Sequence, residues 1–390
     1  MARVLCVWEM GSALGHLANL RPFVEAACGA GHQVTLAAKE LQNIDAVLSG
    51  LPMTLFQAPY FHRQPRRRYP RLMSYSQLVL QRFESPFELD ILCRAWNSIF
   101  DAVRPDLVIY DFAPSAMIAS LGQAWQKWIV GSGFLVPRTD LPYLGLFPGV
   151  VKNPANARQL RDGEQRLLAL VNGQLEQRGM RPLADVREII TQADQQLLLT
   201  LPELDHGGSR NVGDYLGIPP QLAGEIMRWP KRGACRVFAY LSAFPHLEKL
   251  LSELSGEAYS AVIYSRDIGA DTRARFPAIH FLDSPADMAL VIEHADLVIN
   301  MASHVTCAQC LMGGVPQLMI PLRQEQALLA RRIADQGAGV ILTREEDIAI
   351  ALEASRGLAA GGRLTFDPER RASLSGPLLM ERLERFFSVL

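Results

Sequence analysis

The sequence predicts an α/β protein of two domains, each with a parallel β-sheet covered by helices. Its 390 residues, 49% of them hydrophobic, are enough to bury two cores. Short apolar segments alternate with amphipathic segments along the chain, the order expected of doubly wound, Rossmann-like sheets. We place the first domain at residues 1–208, the second at 209–376, and a final helix that packs across both at 377–390. Asp205 to Ile218, rich in glycine and polar residues, is the predicted boundary.

The start of the chain shows this alternation clearly. Arg3 to Trp8 is predicted as the first strand, Gly11 to Gly15 as a loop, and His16 to Gly29 as a helix with one apolar face. Gln33 to Ala37 is the second strand. The dinucleotide-binding pattern GxGxxG does not fit this loop, because its third glycine and the ribose-binding acid are missing.

The other elements follow from the same periodicities. In the first domain they are strands at Leu107–Tyr110, Lys127–Gly131 and Ala193–Leu204, and helices at Phe112–Gly122 and Ala155–Arg178. In the second domain they are strands at Arg236–Leu241, Ser260–Tyr264, Ala278–Leu282, Leu297–Asn300 and Val315–Ile320, and helices at His246–Ser255, Met288–His294, Ser303–Leu311 and Ala327–Gln336. Pro321–Gln326 is predicted as a loop.

Composition excludes several classes of protein. A net charge of −1 argues against a nucleic-acid partner. The six cysteines show no disulfide or metal-binding pattern, so we expect buried, reduced thiols and no metal site. No apolar run approaches the ~18 residues of a membrane span, and no leader sequence is visible, so we expect a cytoplasmic protein. Peripheral contact with a membrane is left open.

The segment from Asp296 to Gly339 contains the densest pattern of functional residue types. Its strand Leu297–Asn300 leads into the helix Ser303–Leu311, whose first turn carries His304 and Thr306. A helix N-terminus at the end of a strand offers unpaired backbone N–H groups and the positive end of a dipole. The segment therefore predicts a phosphate-binding site.

The same segment resembles the donor-binding signature of GT-B glycosyltransferases of the UDP-glycosyltransferase type. Four features stand in the expected register, namely Thr306, the Gly314-Val315-Pro316 triplet, Pro321 and the Glu325-Gln326 pair. Three features depart from it: Met301 replaces the diphosphate-binding histidine, Ala302-Ser303 replaces two glycines, and Gln309 replaces the ribose-binding glutamate. The resemblance implies two Rossmann-like domains that face a central cleft.

The resemblance also implies roles on the donor side. Glu325 and Gln326 would bind the sugar hydroxyls, while Thr306 and the backbone of Ser303 to Val305 would bind the diphosphate. His304 would substitute for the histidine that is missing at position 301, since it lies nearly one turn further along the same helix start. Ser242, a small residue that follows the first strand of the second domain, is a further candidate. The donor-binding candidates are therefore Ser242, Ser303, His304, Val305, Thr306, Gln309, Glu325 and Gln326.

Two residues of the first domain match the catalytic pair of the same glycosyltransferases. His16 opens the first helix at the position of the family's base, and Asp111 follows the strand Leu107–Tyr110, where the family's aspartate orients that base. Both fall at the carboxyl edge of one parallel sheet. An imidazole, with an ordinary pKa near 6.5, can accept the proton of an attacking hydroxyl, and a carboxylate on its other nitrogen stabilises the imidazolium. The alternatives are a solvated His16 and an Asp111 that caps the next helix.

The resemblance implies inverting transfer of a sugar from a UDP- or dTDP-linked nucleotide sugar to a hydroxyl, without a metal or a further cofactor. The acceptor would be a small molecule or a lipid-like molecule. The arginine-rich segment Tyr60–Leu80 would bind an anionic acceptor or an acidic lipid surface, or is a solvated loop. Two other functions are left open. One is a catalytically weakened GT-B protein that acts as a binding partner; the other is a sugar-nucleotide epimerase, whose acidic and histidine residues we do not find assembled.

Overall fold

The computed structural model describes residues 1–11, 14–42, 44–62, 69, 71–211, 213–220, 224–343, 347–362 and 366–390. They form two compact units, one of Met1–Pro220 with Gly376–Leu390 and one of Gln221–Ser375. Each unit is an α/β structure with its own parallel sheet, which confirms the predicted pair of Rossmann-like domains. The division lies after Pro220, two residues beyond the polar segment Asp205–Ile218, and the final helix is part of the first unit.

The first unit is built on a seven-stranded sheet in which all paired strands are parallel. Its strands are β1 (Arg3–Trp8), β2 (Gln33–Ala38), β3 (Thr54–Gln57), β4 (Leu107–Asp111), β5 (Gln126–Gly131), β6 (Gln195–Leu198) and β7 (Asp214–Tyr215). Their order is β3-β2-β1-β4-β5-β6-β7, so the winding reverses between β1 and β4. Ligands of such sheets gather at the carboxyl ends of the strands beside this topological switch point.

Helices connect the strands of this sheet. They are α1 (Gly15–Gly29), α2 (Ile44–Leu48), α3 (Tyr75–Val79), α4 (Pro86–Val103), α5 (Pro114–Ala119), α6 (Pro154–Gln177) and α7 (Glu188–Thr191). Helix α4 shows why they begin where they do. The Ser85 hydroxyl accepts a hydrogen bond from the backbone N–H of Glu88, and Pro86 occupies the first helical position, where no donor is needed.

The second unit has a six-stranded sheet, again with all paired strands parallel, in the order β10-β9-β8-β11-β12-β13. Its strands are β8 (Cys235–Tyr240), β9 (Tyr259–Tyr264), β10 (His280–Leu282), β11 (Leu297–Asn300), β12 (Gln317–Met319) and β13 (Gly339–Ile341). Its helices are α8 (Leu247–Leu254), α9 (Ala270–Ala274), α10 (Met288–His294), α11 (His304–Gly313), α12 (Gln324–Asp335), α13 (Ile348–Ala360) and α14 (Pro368–Ser373). The switch point of this sheet lies between β8 and β11.

The last helix, α15 (Gly376–Ser388), returns the chain to the first unit. Its apolar face buries Leu379, Leu383 and Phe387. The Phe387 ring lies 5.5 Å from the ring of Trp128 on β5, and its carbonyl is 2.8 Å from Nε2 of His32. The predicted amphipathic tail is thus a helix that covers the first sheet.

Several predicted bounds are wrong, each for a local reason. The helix predicted from Phe112 begins at Pro114, because Phe112 itself has φ 47, in the left-handed region. The loop predicted at Pro321–Gln326 already contains the start of α12, so Glu325 lies in the first helical turn. The strand predicted at Ala193–Leu204 ends at Leu198 and is followed by a short 3-10 turn. Three edge strands, β3, β7 and β13, were not predicted, because their residues are largely exposed or half-buried and form no apolar run.

Among the described residues, no helix is both long and apolar enough to cross a membrane.

Candidate functional site

The switch point of the first sheet brings His16 and Asp111 together. Trp8, the last residue of β1, is paired with Asp111, the last residue of β4, and His16 lies in the first turn of the helix that follows β1. Nδ1 of His16 is 2.9 Å from Oδ2 of Asp111, so the contact expected from the sequence is present. The Asp111 side chain is fully buried, while 12% of the His16 side chain is exposed. The geometry assigns the Nδ1 proton to this hydrogen bond and leaves Nε2 for a substrate.

Two aromatic rings fix the plane of the imidazole. The Trp8 and His16 ring centroids are 5.1 Å apart with their planes at 18°, and those of His16 and Phe112 are 6.2 Å apart, also at 18°. We call these two rings the aromatic slot. Gly11 leaves the space beside Nε2 open, since a Cβ added there would lie 2.1 Å from that atom. His16 therefore has little freedom to turn away from Asp111, an arrangement that sequence analysis did not foresee.

Burial also shapes the charge of this pair. It raises the pKa of the Asp111 carboxyl above its ordinary value, and the neighbouring His16 partly offsets that rise. A buried carboxylate is most stable when a positive charge lies against it. The Asp111 carboxylate is therefore placed to stabilise a proton on His16.

The candidates for donor binding in the second unit follow three adjacent strands, β8, β11 and β12. Ser242 is exposed just beyond β8. Ser303 stands at the N-cap of α11 after β11, and its side chain makes no capping hydrogen bond, so the first backbone N–H groups of α11 are not capped by it. Thr306, in the first turn, is buried, and Gln309 further along is half-buried. These residues thus share one edge of the sheet, beside its switch point.

A buried polar network supports the start of α11, and sequence analysis missed it. The Asn300 side chain accepts a hydrogen bond from the backbone N–H of Ala302 at 2.7 Å and donates one to Oε1 of Gln317 at 3.0 Å. Gln317 in turn donates to the backbone carbonyl of Cys307 at 3.2 Å. Asn300 and Gln317 are fully buried on the neighbouring strands β11 and β12. A polar residue inside each of two apolar strands was the signal available in the sequence.

Two residues of the donor signature, Met301 and Gln326, serve core packing and helix capping. Met301, which stands where the resembled family has its histidine, is buried in the hydrophobic core of the second unit. Oε1 of Gln326 accepts hydrogen bonds from the backbone N–H groups of Leu322 and Arg323, at 2.9 and 3.0 Å, and so caps α12. Glu325 is half-buried in the same first turn.

Four of the five arginines of the segment Tyr60–Leu80, at positions 63, 66, 67 and 68, lie outside the described residues. Its Arg71 is described, and the guanidinium lies over the Phe147 ring at 4.4 Å.

The chain is similar to known glycosyltransferases in both sequence and structure. Residues 265–354 match the model of the glycosyltransferase family 28 C-terminal domain. The NDP-glycosyltransferase YjiC of Bacillus subtilis (strain 168) is 22% identical over 350 residues, which cover 86% of this chain and 83% of that protein. The structure of the glycotransferase of kitacinnamycin is similar with a TM-score of 0.68 at 16% identity, covering 98% of this chain and 97% of that one. The structure of spinosyn rhamnosyltransferase SpnG complexed with thymidine diphosphate is similar with a TM-score of 0.59 at 17% identity, covering 98% of this chain and 96% of that one.

The structural similarities, at 16–17% identity, establish the fold. The two Rossmann-like sheets with these neighbours confirm the predicted GT-B fold. With the family model over residues 265–354 and the curated relative, the prediction of a glycosyltransferase is confirmed as well.

Proposed function

We propose that this protein transfers a sugar from a UDP- or dTDP-linked nucleotide sugar to a hydroxyl of a small-molecule acceptor, with His16 as the base. The observation that carries the proposal is the 2.9 Å contact between Nδ1 of His16 and the buried Asp111 carboxylate at the switch point of the first sheet. The donor class is supported by the similarity to an NDP-glycosyltransferase. SpnG, solved with thymidine diphosphate and separately with the spinosyn aglycone, supports a small-molecule acceptor.

The chemistry follows from the free nitrogen of His16. The acceptor oxygen attacks the anomeric carbon as its proton passes to Nε2, and the buried Asp111 carboxylate stabilises the imidazolium that forms. The bond between the anomeric carbon and the diphosphate oxygen breaks on the opposite face, so the anomeric configuration is inverted. The diphosphate leaves with the bonding electron pair, and the proton on His16 later returns to solvent.

The second unit supplies residues for the donor. The backbone of Ser303 to Val305 and the side chain of Thr306 would meet the diphosphate at the start of α11. Glu325, half-buried in the first turn of α12, would accept hydrogen bonds from the sugar hydroxyls, the role that the resemblance implies for it. The remaining candidates are Ser242 and His304 toward the phosphates, Gln309 toward the ribose and Gln326 beside the sugar.

One observation favours a second candidate, a GT-B protein that binds a partner and has lost most of its catalysis. Met301 is buried in the core and brings no donor to the helix start, where the resembled family has an imidazole. One hydrogen bond to a charged group contributes about 1.5–3 kcal/mol, or roughly 10- to 150-fold in affinity. Donor binding is therefore the step on which the two candidates differ.

Calorimetry and a transfer assay separate them. UDP, dTDP and GDP, each with and without a sugar, are titrated into the wild type and His16→Ala. We expect one nucleotide sugar to bind both proteins equally, while His16→Ala lowers turnover by roughly 10²- to 10⁴-fold. If no nucleotide or nucleotide sugar binds the wild type at millimolar concentration, the enzyme proposal is wrong and the binding-partner candidate replaces it.

A further inference from the structure

Glu9, the residue after β1, is a buried charge that the proposed reaction does not use. Its side chain is fully buried, and that of Arg82 is 7% exposed. Oε1 of Glu9 accepts a hydrogen bond from Nε of Arg82 at 2.9 Å. Oε2 accepts two more from the backbone N–H groups of Ser115 and Ala116, at 3.0 and 3.2 Å. Both oxygens thus have partners, as a buried carboxylate requires.

These hydrogen bonds replace a missing helix cap. Ala113 stands at the N-cap of α5 and has no side chain that could accept from the first turn. The Glu9 carboxylate takes that place from a distant part of the chain, so the path of the chain between β4 and α5 depends on it. That stretch contains Phe112 and directly follows Asp111.

The consequence concerns the aromatic slot. Glu9 directly follows Trp8, and its partner Ser115 lies three residues after Phe112. A second hydrogen bond, from the Met10 N–H to the Phe112 carbonyl at 3.0 Å, joins the same two segments. Glu9 therefore ties together the two chain segments whose rings stack on His16.

Arg82 extends this contact to the segment after β3. Its Nη2 donates to the carbonyl of Pro59 at 2.5 Å, and its guanidinium lies 5.6 Å from the Tyr60 ring. Because the guanidinium bonds to Glu9 and to the backbone at once, neither segment can shift without exposing a buried charge.

We propose that Glu9 is a positioning residue for His16, which acts by setting the width of the aromatic slot and so the orientation of the imidazole toward Asp111. Its effect on catalysis rests on the proposed function, whereas its effect on the His16 ring does not. A residue that only stabilised the fold would leave the environment of His16 unchanged in every variant that still folds.

The test uses two variants and a matched control. Glu9→Gln keeps the shape but cannot accept from Arg82 and the α5 backbone together. Glu9→Asp keeps the charge but is one methylene too short to reach both. The control is Asp205→Asn, which breaks another buried ion pair of the first unit, Asp205–Arg210, with side chains 0% and 1% exposed. The readouts are the His16 ring-proton resonances, assigned with His16→Ala, and kcat and KM for the donor.

We expect both Glu9 variants to move the His16 resonances downfield, away from the shielding of the stacked rings, and to lower kcat about 10- to 100-fold with little change in KM. Asp205→Asn should lose stability without moving those resonances. Wild-type His16 resonances in a folded Glu9 variant, or an equal displacement in Asp205→Asn, would overturn the proposal. If the wild type transfers no sugar, the proposed function fails, but the resonances still decide the role of Glu9.

Discussion

The approach of Gly11 to His16 allows the sharpest test of the proposed base. In Gly11→Ala the added Cβ would lie 2.1 Å from Nε2 and 2.9 Å from Cε1 of the imidazole. Normal contact between such atoms begins near 3.5 Å, so the ring or the loop must move by about 1.4 Å. The ring has little room to turn, because it stacks on Trp8 and Phe112 and its Nδ1 is hydrogen-bonded to Asp111.

Gly11→Ala should lose both stability and catalytic rate, and the two losses have separate causes. Gly11 has φ +85, and an alanine in this left-handed region costs about 1–2 kcal/mol of stability. The displacement of the base acts separately, on the rate. A misplacement of about 1 Å lowers a reaction roughly 10²-fold, equivalent to about 2.7 kcal/mol in the barrier. We therefore expect kcat/KM to fall about 100-fold, with nucleotide affinity unchanged.

Gly31 provides the matched control. It has a similar φ of +77, but no atom lies within 4 Å of an added Cβ. Gly31→Ala should therefore show the loss of stability without the loss of rate. The assay is steady-state transfer at saturating donor, with urea unfolding of both variants. Equal kcat/KM for Gly11→Ala and Gly31→Ala would refute the view that His16 must keep its position for transfer.

Three further predictions concern other parts of the two units. Burial raises the pKa of the Glu164 carboxyl from 4.5 to about 7, so its proton stabilises the fold below pH 4.5 and this stabilisation is lost as the pH rises through 7. As the pH rises over that range, the free energy of unfolding of Glu164→Gln should increase by about 1–2 kcal/mol relative to the wild type, after allowance for solvent screening. Urea unfolding measures this, and a difference that does not change with pH would contradict it. Gln317→Leu leaves Asn300 without its buried acceptor, so the second unit should lose about 1–3 kcal/mol of stability and bind nucleotide more weakly. An unchanged nucleotide affinity in calorimetry would argue against a role for the network. Glu325→Ala should abolish transfer while bare nucleotide still binds, and equal losses of both would assign Glu325 to the nucleotide instead.

The sequence alone sufficed for features that depend on neighbouring strands. Buried parallel strands leave continuous apolar runs, so β1, β4, β8 and β11 were found with nearly correct bounds. Because such strands end at one edge, the approach of His16 to Asp111 could be expected although 95 positions separate them. The register of these strands then placed the pair at the switch point.

Features that depend on single distant contacts could not be predicted. The Glu9 carboxylate reaches Arg82, 73 positions away, and nothing in either local sequence indicates the pairing. The resemblance assigned the Gln326 side chain to a sugar, but its carbonyl oxygen caps its own helix. Such caps also shift the bounds of a helix by one or two residues. Only the packed structure decides which polar groups a buried residue meets.

Both units pass from a strand to a helix through a non-glycine residue in the left-handed region. Phe112 follows β4 with φ 47, and Ala302 follows β11 with φ 55. Such residues cost about 1–3 kcal/mol and persist only where the surroundings determine them. A hydrogen bond from outside the turn fixes Phe112 through the Met10 N–H, and the Asn300 side chain fixes Ala302. In the first unit the strained residue carries a ring that stacks on His16, and in the second it precedes the helix to which we assign the diphosphate. The resembled family has glycine at the second turn, where no strain would arise. The buried polar network beneath Ala302 therefore holds in place a strained turn that glycine would form without strain.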